Sequence, residues 1–247
     1  VKNFSNKIEE YYDNLAYSYD DYYRDNISLA EDFLIKKSLL NFIEPDSNVL
    51  DCGCGTGLAK AMLSKISCNY TGIDLSSKML EVAKKKHPSG NFIHGDITNM
   101  EYLNSGCYDN IISLNGSFSH VINYNDAINE FMRLLKPGGN LFLMVYSRYS
   151  IKRVLNGKFL RTIDNYNIRN SSISGGTTSP AFFWSISSLK REFCSFRNVN
   201  VKGLNITADV FKKSGDLNSA ISILEKEMKL PLFFQNLSHA LIIKAKK

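Results

Sequence analysis

The sequence predicts an α/β fold in which a parallel sheet carries helices on both faces. Short apolar segments alternate with helix-periodic ones between residues 49 and 146. The first of these, Val49-Leu50-Asp51, runs into Cys52-Gly53-Cys54-Gly55-Thr56-Gly57, three glycines on alternate positions ahead of a helix-like stretch. A second apolar segment ends on Asp74, 17 residues after Gly57, near the spacing at which an acid holds ribose hydroxyls in dinucleotide sites.

Each element follows from its pattern. Residues 28–43 place Ala30, Phe33, Leu34 and Leu40 at helical spacing and stop before Pro45. Buried strands are expected at 49–51, 70–74, 91–94, 110–114 and 140–146, with helices at 58–66, 77–86 and 125–135 between them. In such sheets ligands gather beyond the carboxyl ends of the strands, which is where Gly53, Asp74, Asp96 and Asn115 fall. After Tyr146 comes a stretch rich in Ser, Arg, Tyr and Gly that is too long for a plain connection. Alternation at 159–164 and aromatic bulk at 181–184 predict paired strands forming a lid. A helix at 187–193, a strand at 198–206, a helix at 219–228 and a strand at 240–245 complete the chain. The expected division is a core with N-terminal helices over 1–147, a lid over 148–182, and the remainder of the core sheet over 183–247.

Bulk properties narrow the function. With 247 residues, 44% of them hydrophobic, the chain can bury a substantial core. The net charge is +6, and residues 148–180 concentrate it: Arg148, Lys152, Arg153, Lys158, Arg161 and Arg169 face only Asp164. If that segment serves a ligand, it predicts a carboxylate or phosphate, which arginine forks suit. The five cysteines are an odd number without C-x-x-C spacing, so reduced thiols are expected, with Cys52 and Cys54 as packing residues and no metal site. No apolar run approaches the roughly 20 residues that span a bilayer, and no signal-peptide pattern opens the sequence, so a cytoplasmic protein without membrane association is expected.

The glycine turn predicts backbone N–H groups pressed against a nucleoside at the positive end of a helix. Its pattern is G-x-G-x-G, one residue shorter than the G-x-G-x-x-G that admits a pyrophosphate, and no Tyr-x-x-x-Lys pair exists for short-chain hydride chemistry. A phosphate-cradling G-x-x-x-x-G-K-[ST] loop is also absent. Over roughly its first 147 residues the sequence resembles the class I S-adenosylmethionine-dependent methyltransferases. Four blocks carry the likeness: Asp51 to Gly57, Gly72-Ile73-Asp74-Leu75-Ser76 with Met79-Leu80, His94-Gly95-Asp96-Ile97, and Leu134-Leu135-Lys136-Pro137-Gly138-Gly139-Asn140-Leu141.

The resemblance implies S-adenosylmethionine as methyl donor, S-adenosylhomocysteine as product, and a Rossmann-like seven-stranded sheet, mostly parallel, ending in an antiparallel hairpin. It implies that Asp74 binds the ribose hydroxyls, that Leu75 in the same loop is also a cofactor-binding residue, that Asp96 and the N–H of Ile97 meet the adenine, and that Met79 packs on the adenine face. Asp51 is implied to hold the amino group of the methionine moiety. Tyr11 to Asp20 resembles the aromatic segment that covers the cofactor in small-molecule members, with Tyr19 as the residue reaching it. Asn115-Gly116-Ser117-Phe118-Ser119-His120 is similar to a segment of small-molecule N-methyltransferases whose backbone flanks the transferred methyl. There His120 orients or deprotonates the acceptor. His87, His94 and His239 are expected at surface or strand positions.

The expected partner is therefore a small-molecule methyl acceptor, methylated at nitrogen or oxygen. Nucleic acid is disfavoured, because neither an Asn/Asp-Pro-Pro-aromatic turn nor a Pro-Cys pair occurs. Two further readings stay open at this stage: a tRNA-modifying enzyme whose basic segment grips phosphates, and a cofactor-binding module without catalysis.

Overall fold

The computed structural model describes residues 2–166, 178–207 and 215–247. Seven strands form one sheet: β1 (Ser47–Cys52), β2 (Cys68–Asp74), β3 (Asn91–His94), β4 (Tyr108–Ser113), β5 (Leu135–Tyr146), β8 (Arg197–Leu204) and β9 (Ala240–Lys246), in the order β3-β2-β1-β4-β5-β9-β8. The first five run parallel; β9 is antiparallel to both β5 and β8. This is the expected seven-stranded sheet with its terminal hairpin. The chain leaves β1 toward β2 and β3 on one side, then returns to β4 and β5 on the other, so the order reverses between β1 and β4. That reversal opens a crevice at the carboxyl ends of the strands.

Alternation along the strands sorts side chains into two cores. Val49, Ile112, Phe142 and Ile242 pack with α2 (Asn26–Leu40), α3 (Leu58–Met62), α4 (Ser77–Lys86) and the helix Leu217–Glu227. Their neighbours Leu50, Ile111, Leu141 and Leu241 pack on the other face with α5 (Tyr124–Leu134) and α7 (Ile186–Glu192). Cys52 and Cys54 are buried, and Gly72 lies so close to Cys54 that a Cβ there would meet its Sγ at 2.8 Å.

Several boundaries differ from the sequence reading. The helix expected over 58–66 is only Leu58–Met62 long, because the chain turns at Leu63 and reaches β2 from Cys68. Of the expected lid pair, the first strand forms a few residues later and the second two residues earlier: β6 (Ile163–Tyr166) pairs antiparallel with β7 (Ser179–Phe182), while Lys158–Leu160 makes a single 3-10 turn. The cause is Arg153, on the short helix α6 (Ile151–Leu155), whose guanidinium donates to the carbonyls of Lys158 and Arg161 and holds them in a turn. Arg169 and the Gly175-Gly176 pair lie outside the described residues. At the other end, α1 (Lys2–Leu15) stops before the tyrosine-rich segment does, so Tyr19 sits on a separate 3-10 turn, Tyr19–Tyr23. Among the described residues no helix is long and apolar enough to cross a membrane.

Candidate active site

A cleft of about 140 Å³ lies over the crevice between β1 and β4. Asp51, Gly53, Gly55, Asp74, Leu75, Met79, Asp96, Ile97, Asn115, Tyr19 and His120 all line it, so eleven of the twelve expected site residues meet in one place. Gly57 does not. Its positive φ of 88° starts α3 behind the turn, and a Cβ there would strike the His87 ring at 2.6 Å. Gly57 therefore allows close packing between the turn and the end of α4.

The glycine turn also differs from expectation in where its amide hydrogens go. Gly53 and Cys54 both donate to the carbonyl of Ile73, at 2.8 and 2.9 Å, and Gly55 donates to Asp74 Oδ2 at 2.7 Å. These N–H groups brace the turn against β2 instead of pointing at a ligand. What the turn offers is room: a Cβ on Gly55 would meet no atom within 4 Å.

Four carboxylates line this space among the described residues: Glu9 on the N-terminal helix, and three at the carboxyl ends of the strands. Asp51, at the end of β1, is almost wholly buried; Oδ2 accepts from the Tyr70 hydroxyl at 2.6 Å, while Oδ1 has no partner among the described residues. Burial pushes its carboxyl up to about 7; the Tyr70 hydrogen bond opposes this and the nearby Asp74 adds to it. Asp74 accepts from the N–H groups of Gly55 and Ser76, which partly offset the upward push of burial on its own carboxyl. Asp96 uses Oδ1 to accept from both the N–H and the hydroxyl of Thr98, a local turn that fixes the side chain. Met79 is fully buried beneath the cleft, on a helix start capped by Ser76.

The N-terminal segment roofs the cleft through four separate attachments. The Tyr12 hydroxyl meets His120 Nε2 at 2.8 Å, and Asp13 accepts from Ser76 Oγ and the Lys78 N–H. Tyr17 donates to Glu81, and Asp20 accepts from Thr56 Oγ1 at 2.6 Å and from Lys86. Only Tyr19 among these tyrosines was singled out from sequence. Tyr12 carried no distinguishing signal, standing among many tyrosines and 108 residues from its partner.

His120 closes the far end, as the last residue of the 3-10 turn Ser117–His120. Its Nδ1 lies 2.9 Å from the carbonyl of Pro180, which only accepts, so Nδ1 carries the hydrogen and Nε2 presents a lone pair to Tyr12. Burial drives this imidazole down to about 4, against the Pro180 hydrogen bond, and it is neutral at physiological pH. Asn115 and Gly116 both have positive φ, 50° and 77°, and bring the chain against the Tyr146 ring; the Tyr146 hydroxyl donates to the Asn115 carbonyl at 3.2 Å. His94 donates from Nε2 to the Leu75 carbonyl at 2.7 Å, a brace for the loop after β2.

Comparison with known proteins bears on the family. The family described as "Methyltransferase domain" matches residues 50–143, which span the glycine turn, the three strand-end acids and the Asn115–His120 segment. Residues 50–143 carry a methyltransferase domain of the class I S-adenosylmethionine-dependent type. An uncharacterized protein of Methanocaldococcus jannaschii is 32% identical over 174 residues, 68% of this chain and 64% of that protein. The ubiquinone/menaquinone biosynthesis C-methyltransferase of Campylobacter jejuni is 28% identical over 66% of this chain and 72% of its own length. This chain thus spans somewhat less than two thirds of the archaeal relative and somewhat more of the bacterial one. Among solved structures, a methyltransferase of Thermotoga maritima superposes with a TM-score of 0.64 at 16% identity, covering 96% of this chain and 99% of that one, and shares its fold. The methyltransferase cofactor, S-adenosylmethionine, fits the residues present. The unpartnered, buried Oδ1 of Asp51 asks for a cationic donor, and the open space at Gly55 is one that any side chain would fill.

Proposed function

We propose that this chain transfers a methyl group from S-adenosylmethionine to a nitrogen or oxygen of a small acceptor. The observation that carries the reading is the convergence of Asp51, Asp74 and Asp96 on one cleft, each at the carboxyl end of a neighbouring strand. In this reading Asp51 takes the amino group of the donor through Oδ1, and Asp74 accepts from the ribose hydroxyls while still bracing Gly55. Asp96 accepts from the adenine amino group, Met79 and Ile97 pack on the adenine, and Leu75 lies at the ribose. Asn115 and Tyr19 flank the reacting end. The bound donor supplies an electrophilic methyl on a good leaving group, so the protein's task is alignment, which supplies roughly 7–11 kcal/mol in the best intramolecular cases.

His120 then acts through Tyr12. Its Nε2 lone pair takes the Tyr12 hydrogen, leaving the phenolic oxygen free to accept from the acceptor. An imidazole held down to about 4 is a weak base. It favours acceptors whose nucleophile is already unprotonated, a neutral amine or a carboxylate, over aliphatic alcohols.

A tRNA substrate is less well supported. Arg148 donates to the carbonyls of Phe159 and Leu160, and Arg153 is more than nine-tenths buried, so neither lies on an open surface where a tRNA backbone could run. The decisive experiment combines calorimetry with transfer of labelled methyl to small-molecule and tRNA fractions of an extract. Wild-type protein is expected to bind S-adenosylmethionine and label the small-molecule fraction. Asp74→Asn is expected to weaken donor binding at least about tenfold, since charge-assisted hydrogen bonds are about twice as strong as neutral ones. NAD binding in place of S-adenosylmethionine, or label confined to tRNA, would overturn the proposal.

A further inference from the structure

A second cavity, about 270 Å³, lies behind the wall that closes the cleft. Tyr146 forms part of that wall: it lines the second cavity, its hydroxyl is 3.4 Å from His120 Nε2, and its ring stacks on Tyr166 at 4.3 Å between centroids. The two spaces therefore meet back to back at His120, the group placed at the reacting end. Elsewhere the second cavity is bounded by the end of β5, α6 and the Tyr19–Tyr23 turn.

Its described lining carries cations: Arg153 and Lys158 line it, and the carboxylate of Glu31, also in the lining, is engaged by the Asn205 amide. Beside the cavity, Asp164 is shared by Arg153 at 3.3 Å, Lys158 at 3.5 Å and Arg161 at 3.6 Å, three cations on one carboxylate. Arg153 is more than nine-tenths buried and rigidly held: its guanidinium lies 3.6 Å from the Phe183 ring centroid and donates to two carbonyls and Asp164. Even so, its Nε–H has no partner among the described residues, nor does the buried hydroxyl of Tyr22, another lining residue. A buried guanidinium with an unmet donor, crowded by other cations, is a fixed anion receptor that needs little further ordering on binding.

We infer that the second cavity holds an anionic group of the acceptor, a carboxylate or a phosphate, on Arg153, Lys158 and Tyr22, while the acceptor's nucleophile reaches His120 and Tyr12 past Tyr146. This rests on the methyl-transfer reading and narrows it to acceptors carrying an anion a few bonds from the methylated atom. Reaching the methyl requires the Tyr146–Tyr166 stack to part.

The experiment titrates inorganic phosphate and, separately, acetate into the protein saturated with S-adenosylhomocysteine, following binding by calorimetry and Trp184 fluorescence. Weak, roughly millimolar binding of one anion or both is expected, the stronger of the two identifying the acceptor's group. Arg153→Lys, which keeps the charge and loses the fork, should weaken it about tenfold, and Tyr22→Phe about threefold, with affinity for S-adenosylhomocysteine unchanged. Thermal melts of both variants verify that the lid stays folded, and Tyr22→Phe keeps the test valid if Arg153→Lys does not fold. Normal S-adenosylhomocysteine binding with no anion binding, or with anion binding indifferent to the substitutions, overturns the inference and leaves methyl transfer standing. Loss of S-adenosylhomocysteine binding in the wild type overturns the parent reading instead. A single-stranded RNA that binds with steep salt dependence and is not displaced by phosphate would also overturn it.

Discussion

Asp51 gives the sharpest prediction, because its environment is set by burial and its Oδ1 is unpartnered. If that oxygen receives the donor's amino group, only the ionised carboxylate binds well, and binding must expel the proton that burial retains to about pH 7. At about pH 5.5 roughly 3% of the sites are ionised and at about pH 7.5 roughly three quarters, so affinity for S-adenosylhomocysteine should rise about 25-fold between them. At still higher pH, where the ligand's own amino group loses its proton, affinity should fall again. Calorimetry at about pH 7 in buffers of different ionisation enthalpy should register release of about half a proton per binding event. Asp51→Asn should bind weakly and lose the rise. The same group bears on stability without ligand. Because its folded value lies above the ordinary 3.8, the folded chain holds the proton more tightly, and stability is lost as pH rises from about 4 to about 7. That loss is on the order of 4 kcal/mol, set against about 1–3 kcal/mol for burying the unpartnered amide of Asp51→Asn, so the variant apoprotein should be the more stable by about 1–3 kcal/mol at about pH 8. A flat affinity profile from about pH 5.5 to 7.5, or the same profile in the variant, refutes the assignment.

Two further substitutions separate the fold from the site. Gly116→Ala forces a left-handed residue and drives a Cβ to 2.2 Å from the Tyr146 ring, so it should cost about 2–4 kcal/mol and lower the melting temperature by roughly 5–15 °C. Gly55→Ala meets no protein atom and should cost only about 1–2 kcal/mol of stability, yet its methyl enters the donor's space and should abolish S-adenosylhomocysteine binding. Tyr12→Phe deletes the hydroxyl that His120 Nε2 accepts from, and kcat should fall at least about tenfold with donor affinity unchanged. A parallel loss of donor binding would reassign Tyr12 to the roof alone.

The core was legible because its physics is local. Strands β1, β2 and β3 are apolar runs ending on Asp51, Asp74 and the His94–Asp96 loop, and the period of two already separates Val49 from Leu50 and Ile111 from Ile112. What sequence could not reveal was direction at single residues. Gly55 and Gly57 read alike, but one opens on empty space and the other on His87. The turn's N–H groups were expected to face a ligand, and their partners on β2 depend on how two strands align, which no local pattern encodes. Tyr12, Tyr146 and Tyr166 gather at His120 from α1, β5 and β6, a meeting fixed by topology. Arg153 stood in a segment whose surplus charge was plain, but its burial and its grip on the lid carbonyls became visible only once β6 and β7 were paired.

The two titratable groups at opposite ends of the cleft have been moved in opposite directions, Asp51 up to about 7 and His120 down to about 4. Both shifts have the same leading cause, removal from water, and both favour the neutral form. The cleft is thus dry and weakly charged at its reacting end, and the charge that matters in the chemistry arrives with the ligands. A sulfonium attacked by a neutral amine only spreads its charge in the transition state; attacked by a carboxylate, it is neutralised. Neither course asks His120 to remove a proton from a weak acid, and in each the aromatic residues Tyr12 and Tyr19, which line the cleft, suit a site where a cation must be tolerated. Placing the acceptor's compensating anion in a separate, cation-lined cavity then has a physical purpose, because an anion held beside the sulfonium would stabilise the ground state as much as the transition state and leave the barrier unchanged.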